Sequence, residues 1–147
     1  MDAVVILGCA IMAGCVAIQC FVVSILLRVL LIVKRRLLIR HTLFGATGVL
    51  IAVMLILVSG NLLQVALWAA VFVARGEFLD LSTAFYHSLV NFTTLGYGDL
   101  VMSETGRVLG ALEAANGVVM FGLTTSVVFL VLSAQMQSAW DERIRRG

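Results

Sequence analysis

Residues 93–99 read Thr-Thr-Leu-Gly-Tyr-Gly-Asp, and their chemistry lies in the main chain. Gly96 and Gly98 allow backbone conformations that side chains forbid, so successive carbonyls can turn the same way. Rings of such carbonyls can replace the hydration shell of a desolvated cation. That chemistry belongs inside a membrane, so the rest of the chain has to supply spanning segments. Catalytic chemistry is not indicated. There is no nucleophile–base set or His/Cys/Asp ligand cluster, and His41 and His87 fall on opposite sides of the expected bilayer.

The 147-residue chain is 62% hydrophobic and 12% charged, with a mean hydropathy of +1.12. Soluble domains run about 45–50% apolar and about 25% charged. The apolar excess is gathered into long runs, which reads as an all-α membrane protein with three transmembrane helices. The first, Ala3–Val33, is interrupted by Gln19, Ser24 and Arg28. The second, Leu43–Ala74, carries a polar patch of Ser59, Gly60, Asn61 and Gln64 that should not face lipid. Trp68 is expected to pack inside, and Arg75-Gly76-Glu77 ends the run. The last, Arg107–Met136, contains Gly110, Gly117 and Gly122 with Thr124, Thr125 and Ser126. Between the second and third runs, Leu81–Phe92 is too short to span and reads as a re-entrant helix, N-capped by Asp80 or Ser82. The non-helical stretch after it is tolerated at membrane depth only where protein or a water-filled cavity surrounds it.

Charge placement sets the expected topology. Arg28, Lys34, Arg35, Arg36 and Arg40 gather around the first connection, and Arg143, Arg145 and Arg146 lie near the C-terminus. The other connecting segments carry Glu77, Asp80, Asp99 and Glu104 with Arg75 and Arg107. The positive-inside rule puts the 34–41 loop and the C-terminus in the cytoplasm and the N-terminus outside. The acidic face would form a rim that concentrates cations. The basic run is too short and too hemmed in by membrane segments to suggest nucleic-acid binding. Cys9, Cys15 and Cys20 all fall in the first run, as small buried thiols rather than disulfide partners. Met12–Cys15 faintly matches a lipoprotein processing site, but without a basic n-region the segment reads as a retained helix.

The motif at 93–99, set after a short helix and between two spans, resembles the signature of the potassium channel superfamily, specifically the two-helix pore module of bacterial channels. The likeness runs from about residue 43 to 136. It divides the chain into an extra helix with its basic loop (1–41) and a pore domain (42–147). The resemblance implies a homotetramer in a bacterial plasma membrane, with potassium ions as its only bound species. The carbonyls of Thr94, Leu95, Gly96 and Tyr97 and the Thr94 hydroxyl would coordinate the ion, with Gly98 completing the filter. Thr93, Asp99, Tyr86 and His87 would support the filter, with Tyr97 and Phe85 bracing it from behind. Val118, Phe121, Thr125 and Val128, at helical spacing, would line a cavity below it. Gly117 would be a hinge, although close helix packing at Gly117 and Gly122 explains these glycines equally well.

The chain departs from the family pattern at Leu95, where valine is commonest, and at Val90, where some relatives place a carboxylate that pairs with the aspartate after the filter. Asp99 therefore needs another partner, for which His87 is a candidate, or stays solvated. Glu113 is an isolated carboxylate inside a span. It either braces the filter through Ser88, Thr93 or His87, or sits as a protonated or paired acid between subunits. Asn116 could hydrogen-bond a neighbouring subunit.

Three functions compete: a potassium-selective channel, a less selective cation channel, and a non-conducting subunit that keeps the pore fold. No regular arginine spacing suggests a voltage sensor. The first helix is expected to pack peripherally on Leu43–Ala74; filling a lipid-exposed groove or contacting another membrane protein are the alternatives.

Overall fold

The computed structural model describes residues 2–36 and 43–146. They form four helices and no strand: α1 (Asp2–Arg36), α2 (Leu43–Ala74), α3 (Leu81–Phe92) and α4 (Arg107–Arg146). The side chains of Lys34, Arg35, Arg36, Arg40, His41, Arg145 and Arg146, on which the expected orientation partly rests, lie outside the described residues. Helices α1, α2 and α4 are each long and apolar enough to cross a membrane. At about 1.5 Å per residue the 12 residues of α3 reach about 18 Å, short of the ~30 Å hydrocarbon core. The elements match the sequence expectation except that α1 extends from Ala3–Val33 to Asp2–Arg36 and α4 runs past Met136 to Arg146. Residues 137–146 contain neither glycine nor proline and include Ala, Glu and Arg, which favour helix.

Each turn that positions α3 is fixed by identifiable hydrogen bonds. Gly76 follows α2 at φ 74°, with Gly76 N donating to Val73 O (2.9 Å) and Glu77 N to Phe72 O (3.0 Å). That paired pattern closes a helix C-terminus around a left-handed glycine. Asp80 then caps α3, accepting from Thr83 N at 2.8 Å and from the hydroxyls of Ser82 and Thr83 at 2.6 and 2.7 Å. Across the same end of the molecule, the Glu77 carboxylate accepts from Ser103 N (2.9 Å) and Ser103 Oγ (2.8 Å). Glu77 thereby ties the α2–α3 turn to the start of α4. Gly106 lies so close to that carboxylate that a Cβ would stand 2.4 Å from it.

The helices meet in two apolar clusters separated by a polar band. One cluster joins Cys15, Trp68, Phe72, Phe92, Leu109 and Met120. The other joins Leu26 to Val53, Leu57, Val127 and Val131. Between them, Gln64 Nε2 donates to Gln19 Oε1 at 2.9 Å, both residues being fully buried. Asn61 Nδ2 lies 3.4 Å from Thr124 Oγ1. Gly60, Asn61 and Gln64 thus face protein, as expected, whereas Ser59 is exposed and its hydroxyl donates to Leu55 O within α2. Lipid tails are as apolar as leucine, so such polar contacts help decide which helix faces meet.

The placement of α1 extends the expectation. It packs on α2, as expected, and on α4 as well, while most of its length stays exposed. Gly8 is pressed against Leu112 and Leu109, where a Cβ would come within 2.3 Å of Leu112 Cδ1. Cys15 and Gln19 are 0% exposed. Gln19 finds its polar partner on α2, and Gly8 and Leu26 meet apolar residues of α4.

Candidate functional site

The segment 93–99 leaves the C-terminus of α3, and the end of that helix organises it. Thr93 is the C-cap, its Oγ1 donating back to Leu89 O at 2.7 Å. Thr94 N donates to Asn91 O at 2.8 Å, and Leu95 N and Gly96 N converge on Val90 O at 3.0 and 3.4 Å. Val90, which lacks the carboxylate of some relatives, contributes through its carbonyl. Beyond it, φ is positive at Thr94 (58°), Gly96 (58°) and Gly98 (76°), while Leu95 and Tyr97 keep negative values. Changing the backbone hand at every residue turns each peptide plane back on the last, which lets successive carbonyls face one side. Thr94 is β-branched, and a positive φ there is a strained conformation that its surroundings must hold. All seven residues are exposed on the single chain.

The residues expected to support this segment fall into distinct places. Tyr86 Oη donates to Asp99 Oδ2 at 2.8 Å, so the partner of Asp99 is Tyr86 and not His87. His87 lies instead among rings, 4.8 Å from Phe78 and 5.9 Å from Phe72 between centroids. Its Nε2 pairs with Asn91 Nδ2 at 2.9 Å. His87 therefore anchors α3 to the α2–α3 turn, while Tyr86 on the exposed face reaches the end of the loop.

Glu113 is fully buried and, of the three partners considered, is bonded by Ser88. Ser88 Oγ also lies 2.8 Å from Val65 O. One hydroxyl proton cannot serve both oxygens at once. Both contacts are hydrogen bonds when the Glu113 carboxyl donates to Ser88 Oγ and Ser88 donates to Val65 O. Helices α2, α3 and α4 are thereby joined behind segment 93–99. The second Glu113 oxygen, Trp68 Nε1 and both side-chain polar atoms of Asn116 have no hydrogen-bond partner among the described residues.

On α4, Gly117 lies against the end of α3, where a Cβ would stand 1.9 Å from Phe92 O. The close-packing reading thus accounts for this glycine, and its partner is α3 rather than another spanning helix. Nothing lies within 4 Å of a Cβ at Gly122. Val118, Phe121, Gly122 and Thr125 form one exposed strip of α4, with Val128 half-buried at its lower end. Phe121 meets Phe92 edge-on at 5.7 Å, joining the strip to the end of α3.

The acidic residues are individually occupied: Glu77 by Ser103, Asp80 by the start of α3 and Asp99 by Tyr86, while Glu104 is exposed. Sequence reasoning missed the roles of Asn91 and the Gln19–Gln64 pair. The signal available for the glutamines was polarity inside apolar runs on two different helices.

Two membrane-capable helices flanking a short helix and an exposed loop of alternating backbone hand define a pore-domain architecture. The ion channel family model matches residues 61–134, half of the chain. The chain belongs to that ion channel family, with a two-transmembrane potassium-channel-like pore domain and an additional N-terminal apolar helix. No solved structure matches it.

Proposed function

We propose that this chain is a potassium-selective channel, four copies of which surround a central pore that passes the ion down its gradient. The observation that carries the reading is the alternating backbone hand at Thr94, Gly96 and Gly98, directly after a helix too short to span. A column of carbonyls from Thr94 to Tyr97 would replace the ion's water. Thr94 Oγ1 spends its proton on Thr93 O at 2.6 Å, which leaves oxygen lone pairs for a cation. Exposure of the entire segment supports assembly, because non-helical backbone at membrane depth needs protein or a water-filled cavity around it. Closed cyclic symmetry provides both. The strip of Val118, Phe121 and Thr125 would then line the cavity below the filter. The acidic end would face outward and the basic ends the cytoplasm.

The test is ion flux from purified protein in liposomes, with potassium replaced stepwise by sodium, alongside the mass of the assembly. Potassium flux that collapses in sodium, from a tetramer, is expected. Equal currents for both ions would mean a non-selective cation channel. No flux from intact tetramers would mean a subunit that keeps the pore fold without conducting.

A further inference from the structure

Helix α1 is not used by the conduction reading, yet it is built into the same core. It follows α4 from Leu109 and Leu112, beside Gly8, to Val127 and Val131, beside Leu26. Midway, Cys15 is buried in the cluster with Trp68 and Met120. One turn further on, Gln19 accepts from Gln64 Nε2 and lies over Gly60, where a Cβ would stand 3.0 Å from Gln19 Oε1. The residues of α4 that meet this core (Leu109, Glu113, Asn116, Met120, Val127 and Val131) are buried, whereas Val118, Phe121 and Thr125 are exposed. Helix α1 therefore helps to fill the space behind α4, on the side away from the strip assigned to the pore.

We propose that α1 is a strap that holds α4 in place, latched by the buried Gln19–Gln64 amide pair, and that Gln19 is a positioning residue for conduction. This rests on the conduction reading above. Widening a pore lined by α4 moves that helix away from the axis, into the volume α1 helps to fill. A latched α1 opposes that movement, and a released α1 permits it. Apolar contacts give little net drive for helix association in lipid, so the amide pair contributes disproportionately to the latch. Replacing one glutamine leaves the other buried without a partner, whereas replacing both by leucine leaves an apolar pair that is nearly neutral.

Native Cys15 reports the latch, because it is buried while Cys9 and Cys20 are exposed. The full-length chain carrying Cys9→Ser and Cys20→Ser would be compared in liposomes with Gln19→Leu, Gln64→Leu and the double variant in that background. Labelling of Cys15 by N-ethylmaleimide and single-channel recording are the readouts. Each single variant is expected to label roughly 3- to 20-fold faster and to raise the open fraction, with unit conductance unchanged. The double variant is expected to return both toward the parent. Unchanged labelling in the single variants overturns the latch. Faster labelling with an unchanged or lower open fraction overturns the positioning role and leaves α1 a structural helix. A parent protein that conducts nothing removes the conduction reading, and the positioning role with it, while the labelling arm still judges the latch.

Discussion

Gly117→Ala separates a packed glycine from a hinge. A Cβ at residue 117 would lie 1.9 Å from Phe92 O and 3.2 Å from Phe92 Cα, whereas real Cβ contacts essentially never fall below 3.0 Å. Backbone must therefore move by about an ångström at the last residue of α3, immediately before Thr93 and Thr94. Overpacking of this kind costs ~1–3 kcal/mol. Alanine is also the better helix former by ~1 kcal/mol, so the proper comparison is a glycine that gains this benefit without a collision. Gly14 in α1 meets nothing within 4 Å. Gly117→Ala is expected to be less stable than Gly14→Ala by ~1–3 kcal/mol, read from unfolding midpoints in detergent. It should also lose ion flux in liposomes, because the displacement acts on the segment proposed as the filter. Equal stability of the two variants, with Gly117→Ala conducting at normal unit conductance but opening less often, would refute the packing argument in favour of a hinge.

Glu113→Gln keeps a neutral group able to donate to Ser88 and is expected to assemble and conduct like the parent. Glu113→Ala leaves a cavity and removes the donor to Ser88 Oγ, and is expected to lower the dissociation temperature of the assembly in detergent; equal behaviour of the two would remove the bracing role. Tyr86→Phe deletes the hydroxyl that holds Asp99 and, at this exposed site, is expected to cost about 0.5–1 kcal/mol. Its clearer effect is expected on how long flux is sustained after opening, with ion preference unchanged. The Asp80 carboxyl is held at about 2, below its ordinary 3.8, first by Ser82 and then by Thr83. Because the folded value is the lower one, the cap contributes fully above the ordinary value and loses its contribution as pH falls through about 2. The stability difference between the parent and Asp80→Ala should therefore stay constant from pH 8 to about pH 5 and shrink toward pH 2, followed by thermal unfolding across that range.

The helices were legible because their signal is local and one-dimensional. Long apolar runs, the Arg75–Glu77 break and the capping pattern at Asp80 each act within a few residues. The bounds of α2 and α3 and the start of α4 coincide with the sequence reading. The ends of α1 and the end of α4 differ, because apolar content marks where a span stops while helix propensity lets the helix continue. The motif at 93–99 was legible for the same reason: it depends on glycines whose conformational freedom is intrinsic.

Partner choice was not legible, because it depends on which faces meet. Sequence placed a polar patch in α2 and a lone carboxylate in α4. Tertiary structure joined Gln64 to Gln19, Glu113 to Ser88 and Asp99 to Tyr86. In each pair the residues are at least 13 positions apart, and several other polar groups could have competed for the same bond. Gly117 shows the difference most directly. A glycine in a spanning helix fits a hinge or a contact equally well by composition, and the carbonyl of Phe92 against its α-carbon decides for contact. Sequence by itself determined the spans, the re-entrant helix and the backbone freedom of residues 93–99. Tertiary structure alone decided that α1 packs on α4 as well as α2, because Gly8 and Leu26 meet apolar residues of α4 while the buried amide of Gln19 must find a polar partner, which Gln64 of α2 provides.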